Sequence, residues 1–115
     1  MTSSDEHTTI QDEHTTIQIE DGGRLLAAAD VEPPDDDGVA HSALHVESGH
    51  LPGGTRTRLV DAVLESPEVD RAERLLATMP IGDTEMLDRV RQRGRDVQVR
   101  AAGATKLVEA RLDED

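Results

Sequence analysis

Four residue types are absent from the 115-residue sequence: Cys, Phe, Tyr and Trp. The absence of Cys excludes disulfide bonds, thiol nucleophiles and thiolate metal sites. The absence of aromatic residues leaves a core of aliphatic side chains and methionine, each of which buries less area than an aromatic ring. It also excludes recognition of nucleic acid by stacking of bases on aromatic rings.

Long apolar runs are missing as well. No stretch approaches the roughly 20 apolar residues that a membrane-spanning helix needs. The N-terminus lacks the basic and apolar regions of a signal peptide. We therefore expect a soluble, cytoplasmic protein that does not contact a membrane.

Basic residues are scarce in the first part of the chain, although the whole chain has a net charge of -13. Residues 1–50 contain 12 acidic residues and one basic residue, whereas residues 51–115 contain 13 acidic and 11 basic residues. An acidic adaptation of the whole surface would affect both parts. The asymmetry therefore favours an acidic arm attached to a nearly neutral domain.

The arm contains a perfect duplication, because DEHTTIQ occurs at residues 5–11 and again at residues 12–18. Each copy offers one large apolar residue, Ile10 or Ile17, which is too little for a helical seam or a buried strand. We interpret the repeat as a passenger in a solvated arm. Residues 15–20 nevertheless alternate well enough to form a short strand.

A cluster of Pro, Asp and Gly in residues 33–38 predicts a domain boundary. It divides the chain into a flexible acidic arm (residues 1–37), a small domain (residues 38–112) and an acidic tail (residues 113–115). The segment RLLAAADV before the boundary has a helix-forming composition, but the prolines that follow would end a helix there.

Beyond the boundary, residues 39–47 alternate as a strand. Thr55 is a suitable N-cap for a helix with one apolar stripe, formed by Leu59, Val60, Val63 and Leu64. Residues 67–79 suit either a second helix or a strand, and we favour a strand at residues 74–79.

The C-terminal part predicts a helix and a hairpin. The helix begins at Asp83 or Thr84 and ends at Gly94, and residues 97–112 alternate on both sides of a glycine turn. The order β-α-β-α-β-β predicts an α+β two-layer sandwich, in which a four-stranded sheet has two helices on one face and follows a disordered acidic arm. This order resembles that of the C-terminal domain of bacterial translation initiation factor three, an RNA-contacting fold.

Three histidines and a carboxylate within HSALHVESGH are candidate metal ligands: His41, His45, Glu47 and His50. On a strand the first three would share one face, and imidazole and carboxylate groups can bind zinc or nickel. The motif HExxH is missing, however, so ordinary solvent-facing histidines remain the alternative.

Five arginines within DRVRQRGRDVQVR are candidate binding residues: Arg89, Arg91, Arg93, Arg95 and Arg100. They could form a cationic patch for phosphates or for an acidic protein surface. Alternatively, the arginines near the end of the helix stabilise its negative end. The neighbouring Glu85, Asp88 and Asp96 dilute the patch, which argues against nucleic acid.

Motifs of common enzyme classes are missing. The sequence has no GxSxG elbow, P-loop or GxGxxG, and Pro52-Gly53-Gly54 lacks the lysine and spacing of a phosphate-binding loop. We therefore predict a small non-enzymatic protein without a cofactor, which acts through a protein partner or as a homo-oligomer. The alternative is a nucleic-acid-binding or regulatory domain that uses the arginines and has the arm as a competitor. A metal-binding protein or a small enzyme is the third hypothesis.

Overall fold

The computed structural model describes residues 5–11, 14–49 and 51–112. The described elements are seven strands and three helices, in the order β1 (Asp5–Gln11), β2 (His14–Asp21), β3 (Arg24–Glu32), β4 (Val39–Val46), α1 (Thr55–Leu64), α2 (Pro67–Asp70), β5 (Arg74–Pro80), α3 (Thr84–Arg93), β6 (Arg95–Ala102) and β7 (Thr105–Arg111).

All seven strands belong to one mixed sheet with the order β1-β2-β3-β4-β5-β7-β6. Strands β4 and β5 pair in parallel, and the other described neighbours pair antiparallel. The segment with α1 and α2 joins the two parallel strands, because a parallel pair needs a long crossover. This crossover places the start of α1 after the carboxyl end of β4.

One face of the sheet forms the core. Buried residues lie opposite one another across neighbouring strands, as Ile17, Ala29 and Leu44 do. Helices α1 and α3 contact each other above this face, and α1 covers β2 to β4 while α3 contacts β7 and the edge strand β6. The other face alternates with it and is lined by polar or small residues such as Thr16, His41 and Ala43, none of which is buried.

Helix α1 buries Leu59, Val60 and Val63, and α3 buries Met86, Leu87 and Val90. Helix α3 ends at Gly94. A Cβ atom on this residue would lie 2.9 Å from the Cβ of Ala110 on β7. A side chain at this position would push the end of the helix off the sheet. None of the helices in the described ranges is long and apolar enough to cross a membrane.

The predicted four-stranded sheet with two helices and a disordered arm is wrong, because the chain forms a seven-stranded sheet with three helices. Residues of the supposed arm make strands β1 to β3 of the same sheet. Thr15 is buried and donates a hydrogen bond to Glu68 at 2.7 Å, and Arg58 lies 3.7 Å from Glu6. The resemblance to the translation factor depended on the predicted four-stranded order, so it does not hold for the seven-stranded sheet.

The physical reason for this error is that acidic residues in a strand can all point away from the core. Ile17 and Ile19 are fully buried, while the intervening Gln18 is exposed. In β3, alanines at alternate positions pack under α1, although their composition favours a helix. The boundary predicted at residues 37 and 38 lies in the turn between β3 and β4, and residues 113–115 lie outside the described residues.

The ambiguous segment contains both kinds of structure. Pro67 begins the short helix α2, and the preferred strand is present as β5. Leu75, Ala77 and Met79 point into the core from β5, so this part of the segment is buried with the period of two that is typical of a strand.

Candidate active site

The two parallel strands stop pairing before their carboxyl ends, and we call the space between their unpaired ends the slot. Pairing of β4 with β5 runs from Val39 opposite Arg74 to Ala43 opposite Thr78 and then stops. Beyond this point β4 continues beside β3, and β5 continues beside β7. Beyond this pair, the edges of β4 and β5 that face each other no longer pair with each other. Crevices beyond the carboxyl ends of parallel strands are frequent ligand sites in α/β proteins.

The start of α1 lies at this end of the sheet. Its N-cap is Gly54, which has φ 86° and offers no side chain to cap the helix. The first turn contains no acidic residue, and Arg56 and Arg58 follow the cap. Cationic residues at the positive end of a helix are unfavourable unless an anion is close by. A helix start of this kind is suited to bind phosphate groups.

The start of α3, which follows β5, is arranged in the opposite way. The Oδ1 atom of Asp83 accepts a hydrogen bond from the backbone N–H of Met86 at 2.9 Å, and Glu85 adds a second carboxylate to the first turn. The Oδ2 atom of Asp83 accepts from Nε of Arg56 at 2.8 Å. Asp83 therefore caps its own helix and also holds Arg56 between the two helix starts.

Lys106 extends this connection to β7. It is the only lysine of the chain and is buried, and its Nζ donates to the main-chain oxygen of Asp83 at 2.6 Å. Asp83 thus links the first residues of α1 and α3 to the buried face of β7.

Ser42 has an unsatisfied hydroxyl near the slot. It is 5% exposed, and its Oγ has no hydrogen-bond partner among the described residues. Ser42 lies on the helix-covered side of β4, one residue before the last pair with β5. A buried hydroxyl without a partner costs roughly 1–3 kcal/mol, which a polar group of a ligand would offset.

His45 and Glu47 follow the last pair on the uncovered side of the sheet. Nε2 of His45 lies 2.7 Å from Oε2 of Glu47. His45 is two residues beyond Ala43 on the same face, which corresponds to about 7 Å along a strand. The carboxylate orients the imidazole ring.

The predicted metal ligands are not brought together. His41 pairs with Asp35 at 3.2 Å, His45 pairs with Glu47, and His50 lies outside the described residues. Hydrogen bonds from the backbone N–H of Val39 and from His41 hold the pKa of Asp35 below its ordinary value. Among residues 5–11, 14–49 and 51–112, no group of three or more possible ligands could hold a metal ion.

The five predicted arginines are divided among three places. Arg89 and Arg93 bind Asp61 on α1, with three hydrogen bonds of 2.8 to 2.9 Å. The hydrogen bond from Arg89 lowers the pKa of Asp61 below its ordinary value, and the same contact raises the pKa of Arg89. Arg91 lies 4.0 Å from Asp88 on α3, and Arg95 and Arg100 lie on β6.

The residues that line the slot were missed by the sequence reasoning. Pro52-Gly53-Gly54 was interpreted as a simple turn, since it lacks the lysine of a phosphate-binding loop. The signal that could have identified it is its context, because a strand precedes it and a helix with a cationic first turn follows it.

The fold is similar to that of solved acetyltransferases. An acetyltransferase of Salmonella typhimurium, solved with its cofactor acetyl-CoA, has a TM-score of 0.61 and 13% identity over 89% of this chain and 66% of its own. The GNAT domain of S. lividans PAT has a TM-score of 0.62 and 15% identity over 90% of this chain and 65% of its own. The chain therefore spans slightly less than two thirds of these two structures.

A ribosomal-protein-alanine N-acetyltransferase of Brucella melitensis gives a similar result, with a TM-score of 0.61 and 16% identity over 88% of this chain and 70% of its own. No protein-family model matches the chain, and no curated protein matches it. At these identities the similarity shows the fold, which is that of the GNAT acetyltransferases.

This finding overturns the functional expectation from composition. A non-enzymatic interaction protein was predicted, with a nucleic-acid-binding domain as the alternative, because known catalytic motifs are missing. Solved structures that share this fold are instead described as acetyltransferases or as an N-acyltransferase. The expectation depended on missing sequence motifs, whereas a ligand site made from backbone groups and a helix start would require few particular side chains.

Proposed function

We propose that this chain binds acetyl-CoA in the slot between β4 and β5 and transfers the acetyl group to an amine. The observation that carries this proposal is the divergence of the parallel pair beside the uncapped start of α1, in the fold of acetyltransferases. The similar protein of Salmonella typhimurium has acetyl-CoA as its cofactor. A cytoplasmic location, expected from the sequence, would fit such a reaction.

The residues present fit the cofactor. The diphosphate of coenzyme A is anionic, and the start of α1 offers backbone N–H groups together with Arg56 and Arg58. The edges of β4 and β5 beyond Ala43 and Thr78 have no strand partner in the slot, so their backbone groups could bind an amide-containing chain. The unpartnered hydroxyl of Ser42 adds one further polar group.

His45 is the residue that we assign to proton transfer. When bound, acetyl-CoA would supply a thioester: attack of the acceptor nitrogen on its carbonyl carbon would break the C–S bond, and the proton that the nitrogen loses would end on the departing sulfur. In the tautomer whose Nε2–H donates to Glu47, Nδ1 of His45 can take the proton that the acceptor nitrogen loses. The uncovered face of the sheet gives an amine access to this position.

Binding is tested first, by titrating the full chain with acetyl-CoA in a calorimeter and by following its amide NMR signals. We expect saturable binding, with signal changes at residues 51–56 and at the carboxyl ends of β4 and β5. ATP, which has phosphates but no pantetheine arm, should bind more weakly. Saturable binding of acetyl-CoA that leaves these signals unchanged would contradict the assigned site.

Transfer is tested by measuring the release of thiol from acetyl-CoA in the presence of amine acceptors. His45→Gln should lower the rate by roughly 100-fold or more and leave the affinity for acetyl-CoA unchanged, because general bases contribute about that much. His41→Gln is the matched control on the same face, and it should have little effect. Equal losses in both variants would remove His45 from the mechanism.

A further inference from the structure

The strand β6 is an edge of the sheet and is open to solvent along its length. It is the last strand in the order, beside β7, and seven of its eight residues are exposed. Val99 is 41% exposed, although it points to the same side as the core. An edge strand presents unpaired N–H and C=O groups, which are a template for pairing with another strand.

The sequence of β6 is complementary to itself when two copies run antiparallel about Gln98. In that register Asp96 lies opposite Arg100 of the second copy, and Arg100 lies opposite Asp96 of that copy. Val97 and Val99 face each other in the same way, and Gln98 faces its own counterpart. Opposite charges and β-branched residues that face each other across two strands stabilise the pairing.

We propose that two copies of this chain associate through their β6 strands, antiparallel and centred on Gln98, to form one continuous fourteen-stranded sheet. Such an interface is closed by a two-fold axis, since the same surface is used on both copies. The proposal does not depend on the proposed acetyl transfer, because the slot between β4 and β5 lies two strands away from β6.

The opposite edge of the sheet does not have this complementarity. Strand β1 contains acidic residues and no Arg or Lys, so two copies of β1 would not match charge with charge. Pairing of β1 with β6 of another copy would match the charges, but it joins two different edges and would not form a closed dimer. It would extend the sheet from copy to copy as a filament. The self-complementary register therefore favours β6 with β6.

A bulge limits the size of this contact. The register of β6 with β7 shifts between Arg95 and Gln98, and Asp96 has φ 50°. The side chain of Asp96 is 70% exposed, and its Oδ2 lies 3.9 Å from Nη1 of Arg111. This ion pair is exposed and long, so it holds Asp96 only weakly. One short strand pair is smaller than a standard interface, and we expect a dissociation constant of roughly 1–100 µM.

A single cysteine tests the register directly, because the natural chain has none. Residues that face each other in an antiparallel pair have Cβ atoms within about 5.5 Å, close to the separation a disulfide needs. Gln98→Cys should therefore give a covalent dimer under mild oxidation. Gln18→Cys, an exposed glutamine on β2, is the control and should remain largely monomeric. Equal crosslinking of both variants would overturn the register.

Sedimentation velocity tests the association without a crosslink. The unmodified 12.5 kDa chain should show a concentration-dependent dimer. Arg100→Asp places like charges opposite each other and should weaken the dimer by tenfold or more, whereas Arg100→Lys keeps the charge and should retain it. Arg91→Asp on α3 makes the same change of charge away from the edge and should leave the dimer unchanged.

Three outcomes would overturn the proposal: a chain that stays monomeric at high concentration, a dimer that is insensitive to Arg100→Asp, or species larger than a dimer that grow with concentration. The last outcome would indicate open pairing of β1 with β6. Circular dichroism of each variant shows whether the chain remains folded, so that unfolding is not mistaken for dissociation.

Discussion

The two helices that follow the parallel strands begin in opposite ways. Helix α3 starts with a carboxylate that caps its backbone, and Asp83 is nearly buried while it does so. Helix α1 starts with a glycine that has no side chain, and arginines occupy its first turn. The two helices are equally long, lie on the same face of the sheet and contact each other.

Under the proposed function, the difference separates a helix start that serves the fold from one that would bind a ligand. A helix that needs only to be stable satisfies its first N–H groups with its own side chain, as α3 does. The start of α1 gives up that stabilisation and concentrates positive charge there, which is useful when an anion binds. Asp83 connects the two starts, because it also holds Arg56.

The largest expected effect is on the capped helix. Asp83→Ala removes the cap of α3 and the partner of Arg56, and should lower the free energy of unfolding by about 2 kcal/mol. Asp83→Asn keeps an oxygen acceptor for the cap and should cost clearly less. The measurement is urea denaturation of each variant, and equal losses would show that the charge matters more than the cap.

The next effect concerns ligand binding at the uncapped helix. Gly53 has open space where a Cβ atom would lie and does not have a positive φ, so a side chain fits there. Gly53→Asp should weaken the binding of acetyl-CoA by roughly tenfold, or about 1.4 kcal/mol, because it adds a negative charge beside the phosphates. Gly53→Asn has the same shape without the charge and should bind almost as the unmodified chain does. Calorimetry would measure both, and equal affinities would place the phosphates elsewhere.

A smaller effect separates the two glycines of this loop. Gly54 has φ 86°, a conformation that side chains rarely adopt, so Gly54→Ala should cost about 1 kcal/mol of stability. Gly53→Ala should be neutral or slightly stabilising, because its backbone suits alanine. Thermal denaturation of both variants tests this difference, and a stabilising Gly54→Ala would contradict the left-handed N-cap.

The smallest effect is on the pH dependence of the contact between the two helices. The pKa of Asp61 is lowered by Arg89, so its contribution to stability is present above the ordinary carboxyl pKa and is lost as pH falls through the lowered value. Asp61→Asn should therefore flatten the loss of stability below about pH 4, by less than about 1 kcal/mol. Asp88→Asn, in an exposed pair with Arg91 at 4.0 Å, is the control and should follow the unmodified chain. Urea midpoints measured from pH 6 downward would show whether the two variants differ.

Local patterns predicted several elements well. Asp83 caps α3 and Gly94 ends it, and an alternating pattern on both sides of a glycine turn forms the hairpin of β6 and β7. The prediction of Thr55 as the N-cap of α1 is wrong by one residue, because Gly54 is the N-cap and Thr55 is the first residue of the helix. These features depend on residues close together in the chain, where turn and capping preferences are strong.

The N-terminal strands could not be predicted in the same way. Their acidic residues resemble a solvated segment until a neighbouring strand and α1 supply a surface for Ile17, Ala29 and Val31. These strands pair with their neighbours in the chain, but the apolar surface that covers β2 and β3 comes from α1, which lies much later in the sequence. The sheet therefore has seven strands, whereas four were expected.

The sequence by itself determined the absence of thiol and aromatic chemistry, the aliphatic core, and both ends of α3. Only the tertiary structure decided that β4 and β5 run parallel and separate beyond Ala43 and Thr78. It also decided that Asp61 meets Arg89, and that β6 is left at the edge. Composition and local spacing report which groups are present, whereas a site between strands depends on contacts between residues that are far apart in the chain.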